Sequence, residues 1–366
     1  MKMTPEMTTL CYIEQEGKYL MLHRVKKERD INKDKWIGIG GHFEGTESPE
    51  DCLLREVREE TGLTLTRYRF RGIITFLCGD CFEYMCLYTA DGFTGELEEC
   101  DEGTLEWVEK EKVYGLDLWA GDKLFFRLLE EDRPFFSLKL TYKEDGTLLE
   151  AVLDGKKMEL LDVLLDTPDE GMGDGEVYPI GAPGTKPESA SFEVLEVQER
   201  DTVHFLGLLH ATVHMWVVRR DMSGGWEVLC QKRSMVKDSN PGCWDISSAG
   251  HMDTGDTREE AAVRELYEEL GITAKPEELE YIGYTRRKTM KPFQTGMLCD
   301  NQISYVHVYR TEVDTDTLCL QDGEVDEVSW MMLDEVIRRT LEDPGFKQCF
   351  NPKELFMLLE YLSHAN

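Results

Sequence analysis

The chain has 366 residues and a formal net charge of −32 at pH 7. That charge excludes nucleic-acid polymers and anionic membranes as partners, because both are held by basic surfaces; a small polyphosphate delivered with its metal remains compatible. Hydrophobic residues make up 41% and charged residues 31%, the composition of soluble domains, and the length suits two domains better than one.

No window approaches the roughly 20 apolar residues of a membrane span. The first ten residues lack the apolar core of a secretory signal. The eleven cysteines are scattered and read as reduced thiols of a cytoplasmic protein. Cys78 and Cys81 form one CxxC around Gly79-Asp80, a hairpin turn rather than a zinc site, since no second pair follows at ribbon spacing.

In chain order, residues 7–13 and 18–23 alternate apolar and polar around Gln15-Glu16-Gly17, which predicts a hairpin. Arg24, Lys26 and Lys27 follow; they either reach substrate phosphates or stay solvated. Residues 36–41 read WIGIGG, a turn whose glycines let the backbone approach a metal or phosphate. Next comes GHFEGTESPEDCLLREVREETGL, residues 41–63. Ser48 is a good helix N-cap and Pro49 fits the first helical position. Glu50 and Asp51 suit the positive dipole end, and Gly62 is a C-terminal stop. Leu53, Leu54 and Val57 give an apolar side. Glu56, Glu59 and Glu60 share one face, and three converging carboxylates repel unless a cation sits among them. Oxygen ligands at this density suit Mg²⁺ or Mn²⁺. Arg55 is placed to orient or neutralise part of the cluster.

Strands are expected over residues 68–78, 82–90 and 104–108, a helix over 116–131, and a hairpin over 135–155 turned at Glu144-Asp145-Gly146. Residues 166–190 are acidic and rich in glycine and proline, which predicts a partly extended linker between domains at 1–165 and 191–366. The second half restarts the pattern with strands at 210–218 and 226–233. Then GHMDTGDTREEAAVRELYEELGI, residues 250–272, repeats the earlier stretch. Thr257 and Glu260 make a capping box, and Arg264, Glu265, Glu268, Glu269 and Gly271 recur in place, with Asp256 for Glu47. Helices are expected at 333–341 and 352–362, the latter with Leu355, Leu358, Leu359 and Leu362 at core spacing.

The spacing from Gly41 through Glu47 and Arg55-Glu56-Val57 to Glu59-Glu60 and Gly62-Leu63 resembles the Nudix box at every defined position. The resemblance implies a hydrolase that uses a divalent metal to cleave nucleoside diphosphates linked to another group. It also implies an α/β (α+β) chain of two tandem α/β/α sandwiches with mixed sheets. It places metal ligands at Glu56, Glu59, Glu60 and the Gly40 carbonyl, and at Glu265, Glu268 and Glu269, with Arg55 and Arg264 beside them. Glu102, five residues before Trp107, stands where many relatives carry a further acid; the general base is Glu59, Glu60 or Glu102.

The first half is similar to MutT-type 8-oxo-dGTP diphosphatases, through Trp36 and Leu118-Trp119-Ala120-Gly121-Asp122. This implies substrate contacts from Arg24, Trp36, Trp119 and Asp122. Equally, Trp119 fits a core residue and Asp122 a dipole partner. Ile37 replaces the asparagine of relatives that read a purine edge. The second half resembles isopentenyl-diphosphate isomerase-like Nudix proteins, through residues 209–216 and 237–251. Isomerases need a cysteine where Ala249 stands and a glutamate where Gln302 stands, and neither replacement can act as acid or base. Hydrolysis of a second diphosphate is therefore expected there, with isomerisation as the rival. His210, His214 and His251 either ligate a metal or brace the site, and nothing nearby activates Cys243. A reading from another class makes one half a ligand-sensing or homodimerisation module; intact carboxylates in both copies count against it.

Overall fold

The computed structural model describes residues 4–26, 30–165, 175–179, 192–237, 239–293 and 296–364. Lys27, Asp238 and the linker residues 166–174 and 180–190 lie outside them. The chain divides into two compact units, residues 1–160 with 196–202, and residues 161–195 with 203–366.

The first unit opens with β1 (Glu6–Gln15) and β2 (Lys18–His23), joined at Glu16 and Gly17, both with positive φ as a two-residue hairpin requires. Then follow β3 (Trp36–Ile37), α1 (Pro49–Thr61), β4 (Thr64–Cys78), β5 (Cys81–Thr94) and β6 (Thr104–Glu109). After these come α2 (Lys110–Val113), α3 (Ala120–Glu130), β7 (Phe136–Tyr142), β8 (Leu148–Leu153) and β9 (Lys156–Lys157). The sheet runs β3-β2-β1-β5-β4-β7-β8-β9, with β6 on β2. It is mixed: β1 pairs parallel to β5, and β4 parallel to β7. Alternation along β1 and β2 sends Cys11, Ile13, Leu20 and Leu22 to the face covered by Leu53 and Val57 of α1. Tyr12, Tyr19 and Met21 pack on the other face with Leu124, Phe125, Phe126 and Leu128 of α3. The result is helix, sheet, helix. Cys78 pairs with Cys81 across the β4–β5 turn, as the hairpin reading expected.

The second unit contains β10 (Leu160–Leu164), β11 (Val177–Pro179), β12 (Val194–Glu199), α4 (Arg200–Leu206), β13 (His210–Arg220), β14 (Trp226–Arg233), β15 (Trp244–Asp245) and β16 (Ser248–His251). Then follow α5 (Arg258–Leu270), β17 (Leu279–Phe293), β18 (Gly296–Arg310), β19 (Val325–Met332), α6 (Leu333–Glu342) and α7 (Pro352–His364). By contact β10, β12 and α4 straddle the division between units. Val213, Met215 and Val217 of β13 pack on Ala261, Leu266 and Leu270 of α5. Trp216 and Val218 face Leu355 and Leu358 of α7. The layering of the first unit is thus repeated.

Three expectations shift. The helix expected from residue 116 begins at Ala120, because Trp119 stays extended and the Asp117 carbonyl accepts the Trp36 amide at 2.9 Å. Leu54 is exposed, and Cys52 takes its place on the buried side of α1. Val177–Pro179, inside the stretch read as a linker, forms a strand on β17, with the Tyr178 and Tyr284 rings stacked at 4.9 Å. Among the described residues no helix is long and apolar enough to cross a membrane.

Candidate active sites

In the first unit, α1 starts where the Ser48 hydroxyl accepts the Asp51 amide at 3.1 Å and Asp51 returns a bond to the Ser48 amide at 3.1 Å. It ends at Gly62, left-handed at φ 73°. Between these caps the acids fan out. Glu60 is buried, and its Oε2 accepts the Gly40 amide at 3.1 Å. Burial first, then the charges of Glu102 and Glu56, push its carboxyl up to about 8 against the Gly40 bond. Burial also raises Glu56, helped by Glu59 and Glu102 and opposed by Arg55. Glu59 is the most open of the three, its side chain 60% exposed.

Arg55 is the hub. Its Nε and Nη2 grip Glu47 at 2.7 and 2.9 Å. Its Nη1 reaches Glu56 at 2.8 Å and Glu59 at 3.1 Å, and Nη2 also bonds the His42 carbonyl at 2.9 Å. Two glycines make room. A Cβ on Gly41 would lie 2.5–2.7 Å from the Glu56 carboxylate, and one on Gly40 would lie 2.0 Å from the Thr9 carbonyl oxygen.

The other expected residues divide into two groups. Glu102 and Arg24 join the acidic cluster: Arg24 bonds Glu102, and it holds Asp30 at 2.7 Å. Trp36, Trp119 and Asp122 lie toward the α3 face. Trp36 stacks on His23 at 4.4 Å. Trp119 is buried, edge-on to Phe76 and Tyr142, with Nε1 donating to Asn32 Oδ1 at 2.8 Å and Lys35 Nζ 5.0 Å above the ring. Burial pushes Asp122 up to about 7. Asn32 was not foreseen; its loop carries no pattern that marks it.

The second unit repeats the geometry. The Thr257–Glu260 box starts α5 and Gly271, at φ 70°, ends it. Glu269 Oε2 accepts the Ala249 amide at 3.1 Å, as Glu60 accepts that of Gly40, and adds Gln231 Nε2 at 3.2 Å. Arg264 reaches Glu265 at 2.7 Å, the His251 carbonyl at 2.9 Å and Asp256 at 3.2 Å. The shorter aspartate thus gives one contact where Glu47 gives two. Glu268 lies 3.8 Å from Arg264. Burial pushes Glu265 up to about 7, with Glu269 and Glu268 adding to it, and burial raises Glu269 as well. A Cβ on Gly250 would lie 2.0–2.3 Å from the Glu265 carboxylate.

Residues 4–129 and 208–350 both match the NUDIX domain. The chain belongs to the Nudix family. An uncharacterized Nudix hydrolase of Clostridium acetobutylicum is 37% identical over 141 residues, 38% of this chain and 66% of that protein. The oxidized purine nucleoside triphosphate hydrolase of Danio rerio is 32% identical over 134 residues, 36% of this chain and 84% of the relative. An isopentenyl-diphosphate delta-isomerase of Escherichia coli O6:H1 is 30% identical over 131 residues, 36% of this chain and 66% of the relative.

The histidines of the second Nudix unit divide into two groups. His204, His210 and His251 bring one ring nitrogen each within 4.8 Å of one another, the only such group of three or more among the described residues. Imidazoles in that number suit a transition metal. His214 takes no part. Its Nδ1 bonds Glu354 at 3.0 Å, and Glu354 also accepts Trp216 Nε1 at 2.8 Å. Ala249 spends its amide on Glu269, and Gln302 donates to Ser304 at 3.1 Å. Neither side chain offers a proton to move. His204 and Glu354 escaped the sequence reading because a lone histidine and a helix-start glutamate look ordinary.

Proposed function

We propose that this Nudix protein is a divalent-metal-dependent pyrophosphohydrolase with two sites. The first is directed at a nucleoside triphosphate, with 8-oxo-dGTP or a related (deoxy)nucleotide as the leading substrate, and the second at another organic diphosphate. The observation that carries it is the duplicated acid cluster: in each unit an arginine and a backbone amide hold three glutamates together although burial raises two of them. Such a donor set fits Mg²⁺ or Mn²⁺. Glu56, Glu59 and Glu60, with Glu102 and the Gly40 carbonyl, would hold the ion in the first unit, and Glu265, Glu268 and Glu269 in the second. When bound, the ion neutralises phosphate oxygens and acidifies a water.

The chain's own groups do the rest. Arg55 and Arg264 fix which carboxylate oxygens point inward. Glu59, Glu60 or Glu102 takes the proton from the attacking water as the phosphoanhydride bond breaks. Trp36, Trp119 and Asp122 support a purine pocket, in keeping with the similarity to oxidized purine nucleoside triphosphate hydrolases; Ile37 leaves that pocket without an amide at its base-reading position.

The test is to change Glu59 and Glu60 to Gln in one full-length variant and Glu268 and Glu269 in another. Pyrophosphate and phosphate release are then followed over 8-oxo-dGTP, dGTP, ADP-ribose and NADH with Mg²⁺. Each variant is expected to lose a different subset of substrates. If the second variant loses nothing on any substrate, the second unit is a binding module.

A further inference from the structure

We propose that Gln231 is a positioning residue of the second site: with the Ala249 amide it pins Glu269, so that one carboxylate oxygen is occupied by the protein and the other is presented to the ion. This rests on the reading of the second unit as a metal-dependent diphosphate hydrolase.

Gln231 lies in β14, where strand alternation sends it with Leu229 toward α5. Leu229 belongs there to an apolar layer with Ala261, Leu266 and Leu270. Gln231 is 3% exposed, a primary amide at the margin of that layer. A buried amide without a partner destabilises a fold, and this one meets an acid: its Nε2 donates to Glu269 Oε2 at 3.2 Å. The Ala249 amide reaches the same oxygen at 3.1 Å. A carboxylate oxygen has two lone pairs, so Oε2 is filled and Oε1 is left for a cation. The two donors come from different strands, β14 and β16, and together they fix the plane of the carboxylate, which one bond leaves free to turn.

The first unit shows that the fold itself does not require an amide here. Gln231 pairs with Asp245, the residue after Trp244, and Leu22 pairs with Ile37, the residue after Trp36. Leu22 is therefore the counterpart of Gln231, and it is buried with Leu53 and Val57 of α1. Glu60, the counterpart of Glu269, accepts the Gly40 amide and no second donor among the described residues. The arginines differ in the opposite sense. Arg55 grips Glu47 twice and reaches Glu59 at 3.1 Å. Arg264 has one bond to Asp256 and stands 3.8 Å from Glu268. Where the arginine holds less, a strand amide holds more. That amide is also neutral, so it orients the carboxylate without cancelling the charge that attracts the ion.

The test uses the full chain with E59Q and E60Q in the first unit. Mn²⁺ binding is followed by electron paramagnetic resonance without substrate, and the part that disappears when E268Q and E269Q are added is the second site's. Q231L, which installs the first unit's residue, is expected to weaken that part about tenfold. In hydrolysis of ADP-ribose and NADH, kcat should fall by a similar factor and half-saturation in Mg²⁺ should rise. KM should stay within about twofold, because Gln231 acts through Glu269 and not on the substrate. L229V shortens a neighbouring side chain in the apolar layer; it should lower the melting temperature and leave Mn²⁺ affinity unchanged. Unchanged Mn²⁺ binding in Q231L, or an equal loss in L229V, overturns the assignment, as does Mn²⁺ binding that E268Q and E269Q do not reduce. If neither substrate is hydrolysed while the second site's Mn²⁺ binding still falls in Q231L, the hydrolase reading fails and the positioning role stands.

Discussion

Replacing Gly41 by alanine tests the acid cluster without touching an acid. The new Cβ would sit 2.5–2.7 Å from three atoms of the Glu56 carboxylate, where ordinary contact begins near 3.4 Å. The carboxylate must therefore retreat by about 1 Å, and a displacement of that size costs about 100-fold in rate. It would also lose its 2.8 Å bond to Arg55. The fold has no reason to follow, because the group displaced is the end of a flexible side chain. Steady-state hydrolysis and Mn²⁺ binding by electron paramagnetic resonance should both weaken sharply in G41A for first-site substrates, with the melting temperature nearly constant. G250A should do the same for the second site, and more severely, since its clash is at 2.0–2.3 Å. A G41A chain that keeps kcat/KM and Mn²⁺ affinity within about threefold of the parent would refute the idea that Glu56 must lie against that backbone.

Arg55→Lys keeps the charge but loses the fork, so Glu47, Glu56 and Glu59 cannot all be held; kcat should fall about tenfold or more, with little change in KM. Asp122 has a folded-state value raised from 3.8 to about 7, so the unfolded chain ionises first as pH rises. The resulting cost is absent below about pH 4, grows up to pH 7 and amounts to about 4 kcal/mol above it. D122N should therefore gain melting temperature relative to the parent as pH rises across that window; a constant difference would contradict it. Arg127 bonds the buried Glu199 at 3.1 Å, so R127M should cost about 3–5 kcal/mol in chemical denaturation. Adding E199L should recover much of that loss.

What could be read from the residues alone was what is local. Caps, carboxylate spacing and the arginine sit within one helix and its entry turn, and both copies stand where the spacing placed them. The long hairpin of β17 and β18 was missed because Arg286, Arg287, Lys288 and Lys291 interrupt the apolar run of β17. Other contacts of the candidate sites were hidden for another reason: they are joined across the chain. Asn32 meets Trp119 across 87 residues and His214 meets Glu354 across 140, distances over which no periodicity carries information. Trp119 shows the limit from the other side. Its type suited stacking or core, and its contacts with Phe76, Tyr142 and Asn32 could not be read from that type.

The assignment of residues 196–202 to the first unit bears on how this protein can be taken apart. A fragment stopped after β9 would keep the first acid cluster but leave Arg127 and Lys123 without Glu199 and Glu196, a buried cation stranded by the scissors. Carrying the fragment on to residue 202 would instead drag along strands that the other half needs. Neither unit can be excised by a single clean cut, so gene splitting is the wrong tool here, and changing one acid cluster at a time inside the intact polypeptide is the right one.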